Sequence, residues 1–354
     1  MQTKKRRITQ RGTESQTPRR ARRSTGITTL MDVARIARVS PITASRALNT
    51  PGKVASETLA RVREAVTQTG YVPNMLAGGL ASSRSRLVAA VVPIIAGSVF
   101  LDMMQSLTDT LAAAGYQLML GQSGYDIARE DALIDAIIGR RPDGIVITGV
   151  MHSAYARKRL AASGIPVVET WDLTHSPIDM LVGFSHEKTG VAVARFLHGR
   201  GSRRPAIISA DDPRARRRVR AYVKAARKLA GMEEAIVEWV PSPTTLKQGR
   251  YGMARILGKH PDIDSIFCSS DLLALGVLTE ALARGIDVPG RIAVVGFGDL
   301  AFAAEVHPPL TTVRIDGARI GREAAHFIVQ RAQGKPVADR ILDIGYSIVE
   351  RASA

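Results

Sequence analysis

The sequence predicts an all-α N-terminal module followed by an α/β body built on parallel sheets. Three observations carry that reading. Positive charge is concentrated at the start of the chain; short helical stretches flank the step Ser40-Pro41; and from Leu87 onward runs of β-branched residues alternate with amphipathic helices.

At 354 residues the chain is long enough for two or three domains with their own cores. Its 45% hydrophobic and 23% charged residues are ordinary for a soluble globular protein. No apolar run approaches the roughly 20 residues of a membrane span, and no apolar signal-peptide segment follows the basic start. One cysteine, Cys268, excludes an internal disulfide and a cysteine metal cluster, so a reducing cytoplasm is the expected compartment. The net charge of +17 is unevenly placed: residues 1–86 hold 17 Lys/Arg and 4 Asp/Glu, and residues 87–354 hold 32 and 28. A polyanion-binding module attached to a nearly neutral body is the implied organisation.

Residues 1–27 read as a basic, disordered arm; the first 24 carry nine basic residues and one acid. Thr29 with Asp32 resembles a capping box, and "LMDVARIARV" places Leu30, Val33, Ala34, Ile36 and Ala37 at helical spacing. That helix must end near Val39, because Ser40-Pro41 restarts the chain as a second helix over roughly 41–48. The second helix would bury Ala44, Ala47 and Leu48. A third starts at Ser56, carries Leu59, Val62 and Val66, and stops at Gly70. Two short helices braced by a third form a helix-turn-helix unit, or else a plain three-helix bundle. The basic residues Arg35, Arg38, Arg46, Lys53, Arg61 and Arg63 favour the DNA-binding reading.

In the body, "LVAAVVP", "YQLMLGQS", "DGIVITG", "IPVVETW", "RPAIISA", "SIFCSSD" and "IAVVGFGD" read as buried strands. Helices fall between them, including spans at 154–163 and 216–230. No glycine-rich phosphate fingerprint is present, since "GFGDLA" lacks its third glycine. No Ser-His-Asp or paired-carboxylate pattern stands out either, so neither an enzyme nor a cofactor is expected.

The stretch "TTLMDVARIARVSPITASRALN…VASETLARVREAVTQTGYVPNMLAGGLAS" resembles the headpiece of the LacI/GalR family of bacterial transcription regulators, without a gap from Thr29 to Ala81. The resemblance continues through the body. It implies a headpiece over 28–73, a hinge helix over 74–85, and an effector-binding and dimerisation body over 86–354. That body would be two doubly wound parallel-sheet subdomains, periplasmic-binding-protein-like, with ligands bound between them at the C-terminal ends of strands. The DNA-facing set it implies is Thr29, Ser40, Pro41, Ile42, Thr43, Ser45, Arg46, Asn49 and Lys53, with Asn74, Ala77 and Leu80 in the hinge. Arg46 would read guanine or hold a phosphate, and Thr43 and Ser45 would position the helix on phosphates. Ile42 would touch a thymine methyl, or else belong to the module's own core. Leu80 would wedge into the minor groove, and Gly78-Gly79, costing a helix roughly 2 kcal/mol relative to alanines, would keep the hinge unformed off DNA.

The implied effector pocket gathers Ser98, Phe100, Tyr125, His152, Glu169, Trp171, Arg214, Ser270 and Asp271. Sugar-responsive relatives carry an aspartate where this chain has Gly298, and losing a carboxylate favours an anionic ligand. Arg214 could hold its carboxylate, Trp171 its carbon face, and the remaining polar residues its hydroxyls. Asp271 could instead cap a helix, Trp171 could be core, and Arg216 to Arg218 read as a solvated face or salt-bridge partners. Segments such as "VVETWD" resemble the gluconate-repressor-like branch. The expectation is a homodimeric repressor of sugar-acid metabolism on a pseudo-palindromic DNA operator, with gluconate or a ketogluconate as effector. The alternatives are a neutral-sugar or nucleobase effector, or a sugar-acid receptor without DNA readout.

Overall fold

The structure is a computed structural model that describes residues 28–72, 85–95 and 99–354. The basic arm, the hinge residues Asn74, Ala77 and Leu80, and Ser98 lie outside the described residues. The chain divides into two compact units, with the boundary between residues 82 and 83.

The first unit is three helices, α1 (Leu30–Ile36), α2 (Pro41–Asn49) and α3 (Ser56–Thr69). Asp32 Oδ2 accepts from Thr29 N at 3.0 Å and from Thr29 Oγ1 at 2.7 Å, which closes the start of α1. Ser40 caps α2 by accepting from Thr43 N at 3.1 Å, with Pro41 in the first helical position, where no N–H is needed. Gly70 ends α3 at φ 61°, a left-handed conformation that a side chain would resist. Val33, Ala37, Ala47, Val62 and Ala65 form the core. Ile36, expected inside, is 42% exposed, and Leu48 is only partly covered.

The second unit has two sheets. The strands of the first lobe are β1 (Leu87–Val92), β2 (Gln117–Gln122), β3 (Gly144–Thr148), β4 (Val167–Thr170) and β5 (Met180–Gly183), with β11 (Ile341–Asp343) at one edge. Their order is β11-β5-β4-β3-β1-β2, every neighbour parallel. The second lobe uses β6 (Pro205–Ala210), β7 (Ile236–Val240), β8 (Ser265–Cys268), β9 (Ala293–Gly298), β10 (Thr311–Arg314) and β12 (Ser347–Val349). Their order is β12-β10-β9-β8-β6-β7, antiparallel only between β10 and β12. Helices α4 (Leu101–Ala113), α5 (Ile127–Gly139) and α6 (Ala154–Ala162) belong to the first lobe, and α11 (Gly317–Ala332) packs beside α4 there. Helices α7 (His186–Gly199), α8 (Pro213–Ala226), α9 (Leu246–Lys259) and α10 (Asp271–Ala283) cover the second. The chain crosses between lobes three times, at 184–185, 315–316 and 344–346. No described helix is long and apolar enough to cross a membrane.

The helix expected over 216–230 begins three residues earlier. Asp212 accepts from Arg214 N and Ala215 N, both at 3.0 Å, and Pro213 takes the first position. The sequence reading did not place β5, β7, β10, β11 and β12. The first is four residues long, the last two are three each, and β7 is an edge strand whose "IVEWV" pattern carries a charge.

Glycines set the helix spacing. A Cβ at Gly190 of α7 would stand 2.2 Å from the Arg218 carbonyl oxygen of α8. The same holds at Gly249 and Gly276 between α9 and α10, and at Gly321 between α11 and α4, with backbone oxygens at 2.1–2.3 Å. Gly190→Ala should therefore destabilise the body by about 1–3 kcal/mol in urea unfolding, although alanine is the better helix former. Gly199→Ala, at the end of the same helix with open space around its Cβ, should be neutral or slightly stabilising.

Candidate functional site

A cleft opens between the lobes of the body, with walls made by the loops that follow the strands. From the first lobe come Val99 and Phe100 after β1, Tyr125 after β2 and Trp171 after β4. From the second come Asp212, Arg214 and Arg218 after β6, Ser242 and Thr244 after β7, Ser269 and Ser270 after β8, and Phe297 at the end of β9. His186, where α7 begins, closes the floor.

Its electrostatics are set by α8. Cations are disfavoured at a helix N-terminus, where the dipole is positive, yet the first turns of α8 carry Arg214, Arg216, Arg217 and Arg218 and no acid. Two of these are neutralised away from the cleft. Arg216 pairs with Asp211 and lies 4.9 Å from the Trp239 ring centroid. Arg217 grips both oxygens of buried Asp172, at 2.9 and 2.8 Å, and also pairs with Glu187 at 2.7 Å. The other two face the cleft and form no ion pair with any described residue. Arg214 lies over the Phe100 ring at 5.4 Å and lines the cleft beside Tyr125.

Arg218 is only 6% exposed, and burial lowers its pKa to about 10, so it stays cationic at neutral pH. Its guanidinium lies 3.9 Å from the Phe297 ring centroid and donates to the Ser269 carbonyl at 3.2 Å. It also meets His186 Nδ1 at 2.9 Å. A guanidinium has only donors, so Nδ1 must accept, and His186 Nε2–H then donates to the Trp171 carbonyl at 3.0 Å. This bond fixes the tautomer. Arg218 Nε and Ser242 Oγ are buried without a hydrogen-bond partner. Two unsatisfied polar groups at a cleft suit a ligand that supplies theirs.

The carboxylates expected to touch a ligand are turned elsewhere. Asp271 is fully buried, accepts from Leu300 N at 2.7 Å and Thr312 Oγ1 at 2.6 Å, and is pushed up to about 6 by burial. Nor does it cap α10, since Ser270 does so by accepting from Leu273 N. Glu169 is buried against Ile178 N at 2.6 Å and Arg157 at 3.4 Å, and burial raises its pKa. His152, bonded to Glu130 Oε1 at 2.8 Å and the Gly149 carbonyl at 3.0 Å, lines a smaller adjoining recess with Tyr125 and Arg214. Each of the three is therefore engaged by protein partners rather than directed into the main cleft.

Phe100, Tyr125, Trp171, Arg214 and Ser270 do line the cleft. Trp171 is both wall and core, 3% exposed at φ 63°, edge-on to Phe100 at 5.0 Å and to Phe184 at 5.9 Å. At Gly298, φ 132°, a Cβ would meet Val99 at 2.6 Å, so no side chain enters the cleft there. Asp299, next in line, turns away to Arg314 and Arg351. The sequence reading missed Arg218, His186, Ser242 and Phe297. The cap signal Asp212-Pro213 could have found Arg218, because it fixes which arginines share a helix face. Among the described residues no three His, Cys, Asp or Glu side chains are placed to hold a metal ion.

The headpiece presents a second surface. Pro41, Ile42, Ser45, Arg46 and Asn49 line one shallow groove on α2. Ile42 is 71% exposed, which removes it from the module's core. Thr43 bonds Ser40 Oγ at 2.9 Å, and Asn49 donates to Ser45 at 3.2 Å. Thr29 and Lys53 are also exposed.

The His186 contacts carry a pH prediction. Burial first, then Arg218 and Arg214, hold its pKa well below the usual value. The folded state therefore binds fewer protons than the unfolded state below about pH 6.5, and stability falls as pH drops through that value. Between pH 7 and 5 the protein should lose stability relative to His186→Gln, by up to about 1.4 kcal/mol per pH unit in urea unfolding. Gln keeps a donor and an acceptor without titrating.

Comparison with known proteins agrees with this architecture. Residues 29–74 match the model of the bacterial regulatory proteins of the lacI family, and residues 194–354 that of a periplasmic binding protein-like domain. The chain is 37% identical over 332 residues to the HTH-type transcriptional regulator GntR of Pseudomonas aeruginosa, covering 94% of this chain and 97% of that protein. The crystal structure of a LacI-family transcriptional regulator from Silicibacter pomeroyi superposes with a TM-score of 0.86 at 33% identity, covering 92% and 99% of the two chains. The lac repressor dimer bound to operator and an anti-inducer shares the fold, with a TM-score of 0.80 at 22% identity over 92% and 99%. This chain, with its helix-turn-helix headpiece and two-lobed body, is a transcriptional regulator of the LacI family.

Proposed function

We propose that the protein is a homodimeric repressor of sugar-acid metabolism whose affinity for a pseudo-palindromic DNA operator is set by a sugar acid bound in the interlobe cleft. In this reading residues 28–73 read DNA, residues 74–85 form the hinge helix, and residues 86–354 bind effector and dimerise. The observation that carries the effector class is the pair Arg214 and Arg218, two cleft guanidiniums without an ion pair among the described residues. A carboxylate would take the place their missing partner leaves, and burial makes such a bond strong. Ser242, Thr244 and Ser270 suit hydroxyls, and Trp171 and Phe100 suit the carbon face. The resemblance to GntR supports the same class. His152, Glu169 and Asp271 leave the proposed ligand set; Arg218 joins it.

Closure of the lobes on ligand would shift the paired hinges, and effector and operator affinities are then reciprocally linked. On DNA, the exposed Pro41, Ile42 and Arg46 would face base edges. Thr29, Ser40, Thr43, Ser45, Asn49 and Lys53 would position the headpiece, with Asn74, Ala77 and Leu80 acting from the hinge.

Calorimetric titration with gluconate, a ketogluconate, glucose and a purine base tests the pocket. Saturable binding of a sugar acid should weaken about 30-fold or more in Arg218→Ala, the loss expected when a buried charge pair is broken. Preferential binding of glucose or the purine, indifferent to Arg214→Ala and Arg218→Ala, would sink the anionic reading. For DNA, operator affinity at several salt concentrations separates two kinds of contact. Arg46→Ala should cost about 1–3 kcal/mol, and Ile42→Ala should relax base preference while leaving the salt slope unchanged. A headpiece that binds a palindrome no better than random duplex would favour the receptor alternative.

A further inference from the structure

Outside the cleft, the described residues of the body form a larger concavity, a groove of about 840 Å³ between the outer faces of α7 and α8, closed at one end by Met151. Its floor is apolar: Val191 of α7, Ala221 and Ala225 of α8, and Leu229 just beyond. Its rim is cationic, the one lining carboxylate, Glu187, being paired with Arg217. Arg195 rises from α7, and Arg220, Lys224 and Lys228 follow one another at four-residue intervals along α8 and its extension. All four are exposed, and none makes an ion pair or a side-chain hydrogen bond with any described residue. The contrast with their neighbours is sharp. Arg217 on the same helix is neutralised by Asp172 and Glu187, Arg216 by Asp211, and Arg227 by Glu234. Like charges at i,i+4 repel one another on a helix, so the Arg220–Lys224 spacing adds nothing to α8 alone.

We propose that this groove is a docking site for an amphipathic acidic helix of a partner protein. The cations are spread along roughly 12 Å at one helical turn apart, not converged on a point. A single phosphate or a compact anion could meet only part of that row, whereas carboxylates at i, i+4 and i+8 of a helix would meet all of it. The floor selects between polyanions. A nucleic-acid backbone has nothing to offer Val191, Ala221, Ala225 and Leu229. An amphipathic helix lays its apolar face into such a groove. The two alanines let a third helix approach closely, within the 8–10 Å range of packed helices. The groove is separate from the ligand cleft, so docking there and effector binding are distinct events.

The test uses the full-length protein and a fluorescein-labelled designed helical peptide, with glutamates at i, i+4 and i+8 beside a leucine face. Anisotropy titration should show saturable binding that weakens about tenfold or more in the double charge reversal Arg220→Glu/Lys224→Glu, and in Lys228→Glu to a smaller degree. Raising salt should weaken it steeply. A scrambled peptide of the same composition should bind far more weakly, because floor and rim must be engaged together. Unchanged thermal melting and effector titration in the variants establish that the fold is intact. The proposal fails if no saturable binding occurs below about 1 mM, if the scrambled peptide binds equally well, or if the reversals leave peptide binding unchanged. It also fails if the reversals reduce only non-operator DNA affinity, which would make the groove a nucleic-acid surface.

Discussion

Burying the Arg218 guanidinium is the constraint around which the body is arranged. A cation taken out of water without a carboxylate partner is costly, and the protein offsets that cost with weaker, diffuse groups. The π-face of Phe297 lies under it, the Ser269 carbonyl accepts one bond, and the bare Nδ1 of His186 accepts another. A buried aspartate would have satisfied the charge more fully, and two stand close in sequence or space. Asp172 is taken by Arg217, and Asp212 by the amides at the start of α8. The cleft therefore keeps an incompletely answered positive charge, which a ligand can answer.

The backbone serves the same end. Gly190 lets α7 close onto the Arg218 carbonyl, so the helix bearing His186 and the helix bearing Arg218 are held at the distance their side-chain bond requires. His186 also donates to the Trp171 carbonyl, which belongs to the first lobe. One imidazole thus joins the crossover segment, the buried cleft arginine of one lobe and the aromatic wall of the other. Trp171 in turn packs on Phe100, and its Nε1–H donates to Met103 of α4.

Much of this was legible residue by residue. Strong strand-helix alternation placed most of the sheets, and local capping chemistry placed the headpiece helices, because both signals act over a few neighbouring residues. The strands that escaped are short, at sheet edges, or added late in the chain, where pairing rather than composition makes them strands. In the cleft, Tyr125, Phe100, Trp171 and Ser270 sit on strand-end loops and Arg214 in the first turn of the helix after one, as the architecture implies. His152, Glu169 and Asp271 lie near the same strand ends but point into hydrogen-bond networks, a matter of side-chain direction that no spacing rule supplies.

The run Arg214 to Arg218 separates the two kinds of information. By itself the sequence determined a basic N-terminal module, a headpiece of three capped helices, an alternating α/β body and a cluster of arginines after the strand "RPAIISA". Those features follow from local periodicity, charge and turn chemistry. Only the tertiary structure decided which arginine meets solvent, which meets Asp172, and which is buried over Phe297. Successive helical residues differ by about 100° in direction, and what each one meets is set by elements distant in the chain. Partner and burial, rather than residue type, assign each charge its role.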